Sequence, residues 1–222
     1  MKRLLIFLPL FILMFPAYSQ DTTRTASATG GNEIRTLFHP SDNPVKMGFF
    51  IGPECSYTQF DGRDVFLGGL SLGAIVNHWF AIGLGGYGIL NSGNLWYSNI
   101  YNADTVGAYL YGGYGGLKLE FRLWPEAPVH ITFPLLIGGG GLVYNNWVYN
   151  TPYHESYDGT TLDSDGFFVI EPGIMVEANI VKFMRIGVGG TYRYAAGLNL
   201  MNTSKNLVNT FNLNLSLRFG KF

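Results

Sequence analysis

The stretch NLVNTFNLNLSLRFGKF, residues 206–222, alternates between two kinds of side chain. One parity carries mostly leucine and phenylalanine, and the other carries mostly asparagine, threonine, serine and Arg218. A period of two is typical of a β-strand with one apolar and one polar face. In a soluble sheet the apolar face points to a core, whereas in an outer-membrane barrel it points to lipid. The rest of the sequence has to decide between these orientations.

The N-terminus has the three parts of a secretory signal peptide. Lys2 and Arg3 precede the apolar stretch 4–15, and small residues at 17–19 form a cleavage site. The apolar stretch is shorter than the roughly 20 residues that a membrane-anchoring helix needs. We therefore predict a signal peptide at 1–19 and, from the Thr, Ser, Gly, Asn and Pro content, a flexible N-terminal lead-in at 20–45.

Composition narrows the class of protein. Loss of Lys2 and Arg3 with the signal peptide changes the net charge from −1 to −3, which leaves no basic excess for nucleic acid. Cys55 is the only cysteine, so no intramolecular disulfide can form. Aromatic residues make up 16% of the chain and charged residues only 13%, yet no later apolar run could form a membrane-spanning helix. A closed barrel is the remaining way for this chain to cross a membrane.

Eight alternating segments follow the lead-in, and we predict them to be strands. The tight connections between them alternate with longer ones, as in an outer-membrane barrel. The predicted fold of residues 46–222 is therefore an all-β, eight-stranded, antiparallel up-and-down transmembrane β-barrel with both termini at the periplasmic end. The predicted strands are 46–58, 65–77, 79–90, 106–123, 129–144, 166–178, 183–197 and 206–222, with tight turns at 77–78, 124–128 and 179–182 and longer loops at 59–64, 91–105, 145–165 and 198–205.

Nearly all strand charges fall on the polar parity. A soluble barrel with an apolar interior, such as a lipocalin, would place these charges in water and enclose the apolar set. That set is too aromatic for the interior of a small barrel, so we favour the orientation with charges inside. The predicted lumen charges are Glu54, Lys118, Glu120, Arg122, Glu171, Glu177, Arg185, Arg193 and Arg218, and His130 shares their inward parity.

Aromatic residues are expected to form two belts, one at each membrane interface. The β-propensity of aromatics explains their abundance but not two separate bands. The predicted long-loop belt contains Tyr57, Tyr109, Tyr111, Tyr144, Tyr192 and Tyr194, and the short-turn belt contains Phe49, Trp79, Phe80, Phe121, Trp124 and Phe219.

With its signal peptide, its eight strands and the ending RFGKF at 218–222, the chain resembles the small outer-membrane β-barrel family of the OmpA and OmpX type. It looks most like the glycine- and aromatic-rich versions in Bacteroidetes-like bacteria, and like members that carry no periplasmic peptidoglycan-binding domain. The resemblance implies that Phe222 is an assembly signal read by the barrel-assembly machinery. Because Phe222 has inward parity and Phe219 outward parity, we expect a bulge near Gly220 or a different contact for Phe222.

The inward charges predict a closed lumen. Four acids face five bases, and charges inside a narrow barrel are costly unless they are paired. An eight-stranded interior is just wide enough to be filled by side chains. We therefore predict a salt-bridged lumen and retain a small porin or solute channel as the alternative, because inward glycines leave room for a small cavity.

A lipid-modifying enzyme is a less favoured alternative. Only His154, among the four histidines, lies beside suitable partners, Glu155 and Ser156, and adjacent loop residues rarely make a catalytic set. The scattered histidines argue against a metal site. The glycine run 138–141 lacks the Lys-Ser/Thr pair and the helix of a nucleotide-binding loop. We predict no enzymatic activity, no cofactor and no metal.

The long loops are the predicted contact surface, because loops on rigid scaffolds carry binding. Their exposed aromatics suit protein or glycan contact, or rest on lipopolysaccharide. The expected partners are outer-membrane lipid and lipopolysaccharide, the assembly machinery and an envelope protein, and the expected role is envelope integrity, surface contact or an envelope assembly. The candidate contact residues are Trp96, Tyr97, Trp147, Tyr149 and Tyr153.

Overall fold

The structure, a computed structural model, describes residues 45–98, 107–146 and 160–222. All of these belong to one compact unit, Asn43–Phe222. The predicted signal peptide and nearly all of the predicted lead-in lie outside the described residues. The described elements are β1 (Met47–Phe60), β2 (Arg63–Val76), β3 (Phe80–Ile89), the 3-10 helix η1 (Ser92–Asn94), β4 (Trp96–Tyr97), β5 (Ala108–Leu123), β6 (Val129–Asn146), β7 (Thr160–Val181), β8 (Met184–Ala196) and β9 (Thr210–Lys221).

Eight long strands close into an antiparallel barrel. The pairing runs from β3 through β2 and β1 to β9, then through β8, β7 and β6 to β5, and β5 pairs back with β3. The two-residue strand β4 pairs with the long-loop end of β5. A closed sheet has no free edge, so its backbone groups are satisfied by neighbouring strands. The predicted all-β, eight-stranded antiparallel barrel is confirmed.

The structure describes no helix that is long and apolar enough to cross a membrane.

Side-chain burial in β9 gives the orientation of the barrel wall. Phe211 and Leu213 are 76% and 60% exposed, whereas Asn214 and Ser216 are 6% and 1% exposed. The apolar face of the opening stretch is therefore outside and its polar face is inside, which is the opposite of a soluble sheet. The same outward apolar parity holds along the other long strands, for example at Phe66, Leu84, Phe121, Phe133, Val176 and Val188.

The predicted long loop at 59–64 is wrong. Strands β1 and β2 are joined by a tight turn in which Asp61 and Gly62 have φ values of 49° and 74°. Positive φ at both central positions is the requirement of a type I′ hairpin turn, and Asp-Gly is a favoured dipeptide there. The other connections at this end, 90–107, 147–159 and 197–209, are longer, and those at the opposite end, 77–79, 124–128 and 182–183, are short.

The starts of two strands differ most from the prediction. Strand β7 spans Thr160–Val181, so it extends well into the predicted loop 145–165. Strand β9 begins only at Thr210, and residues 206–209 precede it without strand pairing. Leu207, which has the outward parity of the opening stretch, is instead 4% exposed inside an apolar cluster. The outward assignment of Leu207 is therefore wrong, because strand parity does not apply to a turn.

The barrel interior has an apolar half and a charged half. An apolar cluster lies toward the long-loop end, where the loop residues Leu95, Leu198 and Leu200 pack onto inward strand residues such as Leu110 and Val169. This apolar half was not predicted, because only the charged residues of inward parity were used to describe the lumen.

Tyr144 belongs to this apolar half and not to an outer belt. Its side chain is 1% exposed, and its hydroxyl lies 2.7 Å from the hydroxyl of Thr203. Its even number gives it the inward parity of β6, so the predicted belt position of Tyr144 is wrong.

Candidate functional site

Arg218 lies at the centre of the charged half of the lumen. Alternation along β9 points its side chain inward between the outward residues Leu217 and Phe219. Its guanidinium donates to both oxygens of Glu120 at 2.7 and 2.8 Å. The same group lies 2.8 Å from Glu177 Oε1 and 3.3 Å from Glu54 Oε1. One guanidinium therefore joins carboxylates from three different strands.

Glu54 is the most fully hydrogen-bonded acid of this cluster. Lys118 Nζ lies 2.7 Å from each of its oxygens, and Ser71 Oγ donates to Oε1 at 2.6 Å. The hydroxyl of Tyr87 donates to the second oxygen. Charge-assisted bonds of this kind are about twice as strong as neutral ones. They offset the cost of taking the carboxylate out of water.

Arg122 and His130 contact the other two acids of the cluster, Glu120 and Glu177. Arg122 donates to Glu120 at 2.8 Å, and its Nε lies 3.9 Å from Glu177. His130 Nε2 lies 3.1 Å from Glu177 Oε2. His130 was left out of the predicted charge network although its inward parity was visible in the sequence.

These contacts make one connected ion-pair cluster of Glu54, Lys118, Glu120, Arg122, His130, Glu177 and Arg218. Its side chains are at most 5% exposed. Apart from His130, three acids face three bases, so the charges balance. Burial of ions is costly, and only this degree of pairing makes it sustainable.

The cluster and the side chains beside it fill the lumen. Two interior cavities, one beside Glu54 and Lys118 and one beside Tyr114 and Arg193, have volumes of about 10 Å³ each. A single water molecule needs roughly 10–15 Å³ of such space. Each of these two cavities therefore has room for one water molecule at most.

Three of the nine predicted network members, among them Arg185, lie outside the ion pairs, and the other two, Glu171 and Arg193, form hydrogen bonds instead. Thr191 donates to Glu171 at 2.6 Å and accepts hydrogen bonds from neighbouring asparagines. Arg193 Nε donates to the carbonyl of Val208 at 2.9 Å, and its guanidinium lies 4.8 Å from the ring centroid of Tyr114. The inward parity of both residues is as predicted, but neither takes part in the ion-pair cluster.

Arg185 and Phe222 form a separate pair at the short-turn end. The guanidinium of Arg185 lies 3.9 Å from the ring centroid of Phe222, which packs against the small apolar cluster of Phe50, Ile75 and Ala81. The pairing register of β9 with β1 is unchanged from Tyr57 to Phe49, so no bulge occurs near Gly220. We expected either a bulge near Gly220 or a different contact for Phe222, and the structure shows an inward contact.

The long-loop mouth carries two of the predicted contact residues. The ring of Tyr97 packs against the ring of Tyr144. The guanidinium of Arg63 lies 4.5 Å from the centroid of the Tyr97 ring. Burial, with the charge of Asp61 adding to it, raises the pKa of the Tyr97 hydroxyl to about 12. Tyr97 is thus a neutral part of the loop structure. Trp96 packs edge-on against Tyr109, with ring centroids 4.8 Å apart, and remains 42% exposed.

Several predicted candidates fall outside the described residues: Trp147, Tyr149 and Tyr153 of the contact surface, and the triplet 154–156. Within the described ranges, no three His, Cys, Asp or Glu side chains are grouped as they would be around a metal ion.

The comparisons with known proteins identify the fold. Neither a protein-family description nor a curated protein matches the sequence. Among solved structures, Neisserial surface protein A has a TM-score of 0.50 at 11% identity, over 81% of this chain and 100% of that one. Ail of Yersinia pestis, in complex with the heparin analogue sucrose octasulfate, has a TM-score of 0.45 at 13% identity, over 78% of this chain and 97% of that one. The N-terminal β-barrel domain of Pseudomonas aeruginosa OprF has a TM-score of 0.39 at 13% identity, over 77% and 96% of the two chains.

These neighbours are small outer-membrane β-barrels. At 11% identity, the likeness to the Neisserial protein shows that this chain shares their fold and nothing further. No match bears on the narrower likeness to Bacteroidetes-like versions.

Proposed function

We propose that this protein is a non-enzymatic outer-membrane β-barrel of the OmpA and OmpX type, exported by the signal peptide at 1–19. Its lumen is closed, and it serves the envelope through its own stability and through contacts at its long-loop end. The observation that carries the proposal is the buried ion-pair cluster around Arg218, which fills the lumen in place of a water-filled path.

The outer surface supports a location in lipid. Monomeric soluble proteins rarely expose contiguous apolar patches larger than a few hundred Å². Here apolar side chains face outward along every long strand, and large aromatics such as Trp79, Trp124 and Phe183 lie at the short-turn end. An apolar exterior around a polar interior suits a barrel surrounded by lipid.

Cys55 offers a direct test of this location. It faces outward on β1, paired with Leu215 of β9, and is exposed at the barrel surface. Maleimides react with the thiolate, which does not form in hydrocarbon. In isolated outer membranes we expect Cys55 to react with a charged, membrane-impermeant maleimide at least about tenfold more slowly than after unfolding in urea.

The matched control for this test is Gln59→Cys in a Cys55→Ser background. Gln59 is exposed on the same strand, next to the tight turn that joins β1 and β2. A cysteine there should react rapidly in folded protein. Equal rates for the two positions in the membrane would show that Cys55 is in water and would contradict the proposed location.

Conductance distinguishes a closed barrel from a small porin. In planar bilayers we expect the wild-type protein to give no stable unitary steps, because the Arg218 cluster occupies the lumen. Double replacement of Glu120 and Arg218 by alanine removes only central side chains of the charged half. The apolar cluster still closes the long-loop half of the lumen, so we expect no steps from this variant either. Wild-type steps that change when Glu171 or Arg193 is neutralised would overturn the closed lumen in favour of the porin.

The proposed contacts involve outer-membrane lipid, lipopolysaccharide and an envelope protein at the long-loop end. Trp96 supports this because it is exposed beside the turn region of the barrel mouth. During biogenesis, Phe222 is proposed to be read by the assembly machinery. Crosslinking in native membranes, followed by purification in mild detergent, tests for a partner: a partner in fixed proportion supports an envelope assembly, and a lone barrel favours an autonomous role.

A further inference from the structure

An open cavity of about 690 Å³ lies at the short-turn mouth of the barrel. Its walls come from the turns after β2, β5 and β7 and from the end of β9, and they include His78, Glu126, Lys182, Arg185 and Lys221. Ligand pockets typically have volumes of about 300–1,000 Å³. The closed lumen makes no use of this cavity, because the ion-pair cluster lies deeper in the barrel.

Arg185 is the unusual residue in this wall. It is 4% exposed, yet no carboxylate of the described residues, that of Phe222 included, lies within 4.0 Å of its guanidinium. Its Nε and Nη1 atoms have no hydrogen-bond partner among the described residues. The other arginines of the charged half, Arg122 and Arg218, are both paired with Glu120. The partner that Arg185 does have is the ring of Phe222, which carries no net charge. A buried cation without a carboxylate is costly, so an anion in the cavity would stabilise Arg185.

The cavity wall carries one excess positive charge. Arg185, Lys182 and Lys221 contribute three positive charges, whereas Glu126 and the carboxylate of Phe222 contribute two negative charges. This excess favours an anion at the mouth.

The arrangement of these bases favours phosphate over carboxylate. A carboxylate has two oxygens, which the planar fork of one arginine can occupy completely. A phosphate group offers a further oxygen for a rim lysine while Arg185 binds the others. Val181, Pro125 and Pro128 line the same cavity and suit an apolar portion of the ligand.

We propose that the short-turn mouth is a binding site for a phosphate group, carried by a small organic molecule or by a phospholipid headgroup, with Arg185 as its main ligand and Lys182 and Lys221 as supporting bases. The site is independent of the loop contacts proposed above.

The test uses full-length protein in phosphate-free maltoside detergent. Phenyl phosphate is titrated by calorimetry, and retained phospholipid is quantified by mass spectrometry. We expect Arg185→Gln to weaken phenyl phosphate binding or phospholipid retention at least about tenfold, because a charge-assisted fork is lost. Lys182→Gln, in an exposed turn, should weaken binding by a smaller factor. Lys205→Gln, which makes the same charge change in a long loop, should leave binding unchanged. A heat-modifiable band on gels verifies that each variant is folded.

Calorimetry and mass spectrometry together identify the source of the phosphate group. Saturable phenyl phosphate binding without retained phospholipid indicates a soluble ligand, and retained phospholipid that phenyl phosphate displaces indicates a headgroup. The proposal is wrong if the wild type does neither, or if Arg185→Gln behaves as the wild type does.

Discussion

Replacing Arg218 by methionine is expected to lower the free energy of unfolding by about 3–5 kcal/mol, the range for removing one partner of a buried ion pair. The reason is that one guanidinium contacts Glu54, Glu120 and Glu177. Without it, the remaining bases cannot neutralise all three carboxylates, which stay buried at 3% exposure or less. Urea unfolding of the purified barrel, followed by loss of the heat-modifiable gel band, measures the effect.

The matched control is Arg63→Met, the same replacement at an exposed position. Arg63 stacks on Tyr97 and donates to the carbonyl of Trp96, and loss of an exposed contact of this kind costs about 0.5–1 kcal/mol. A second control is Glu120→Gln combined with Arg218→Met, which should recover part of the loss because one unpaired charge is removed. If Arg218→Met costs no more than Arg63→Met, the ion-pair cluster does not stabilise the barrel in the way described.

Replacing Gly138 by alanine is expected to destabilise the barrel by about 1–3 kcal/mol, the range for overpacking a close-packed interior. Gly138 faces the lumen from β6, opposite Gly116 of β5. A Cβ atom there would lie 2.6 Å from Gly116 Cα and in contact with the carbonyl oxygen of Gly115. Both are backbone atoms, so relief requires β5 and β6 to separate.

The control for Gly138 is Gly86→Ala in strand β3. Gly86 faces outward, and the nearest atom to its Cβ would be the carbonyl oxygen of Tyr114 at 3.8 Å. Because glycine in a strand interior is about 0.5–1 kcal/mol less favourable than alanine, this change should leave stability unchanged or raise it. Equal destabilisation by the two changes, in the same urea unfolding experiment, would show that strand separation at Gly138 is not the cause.

The errors of the sequence-based prediction fall at strand ends. Asp61-Gly62 had the composition of a tight hairpin turn but was included in a longer predicted loop. Residues 206–209 were assigned to a strand because their alternation continues past the strand's true start at Thr210. Residues 160–165 were assigned to a loop because of their polar and acidic composition, although they belong to β7. Tyr144 was placed in a belt by its residue type although its parity indicated the lumen.

The candidate site was predicted in part. Inward parity placed nine charged residues in the lumen, because side-chain direction in a strand depends only on odd or even position, and all nine side chains are buried. Their partners did not follow from parity. Arg218 and Glu120 are 98 residues apart in the chain, and Glu54 and Lys118 are 64 apart. These separations in sequence carry no information about which charges lie at the same level along the barrel axis.

Local alternation along the chain was therefore enough to specify an all-β barrel, its eight strands, its apolar exterior and the charged residues of its lumen. Strand register and closure, which depend on the whole sheet, decided the remaining features. They make Arg218 the centre of the ion pairs, place an apolar cluster under the long loops, and leave Arg185 without a carboxylate beside the cavity at the short-turn mouth. Parity is a property of one strand, whereas pairing and burial are properties of all eight strands together.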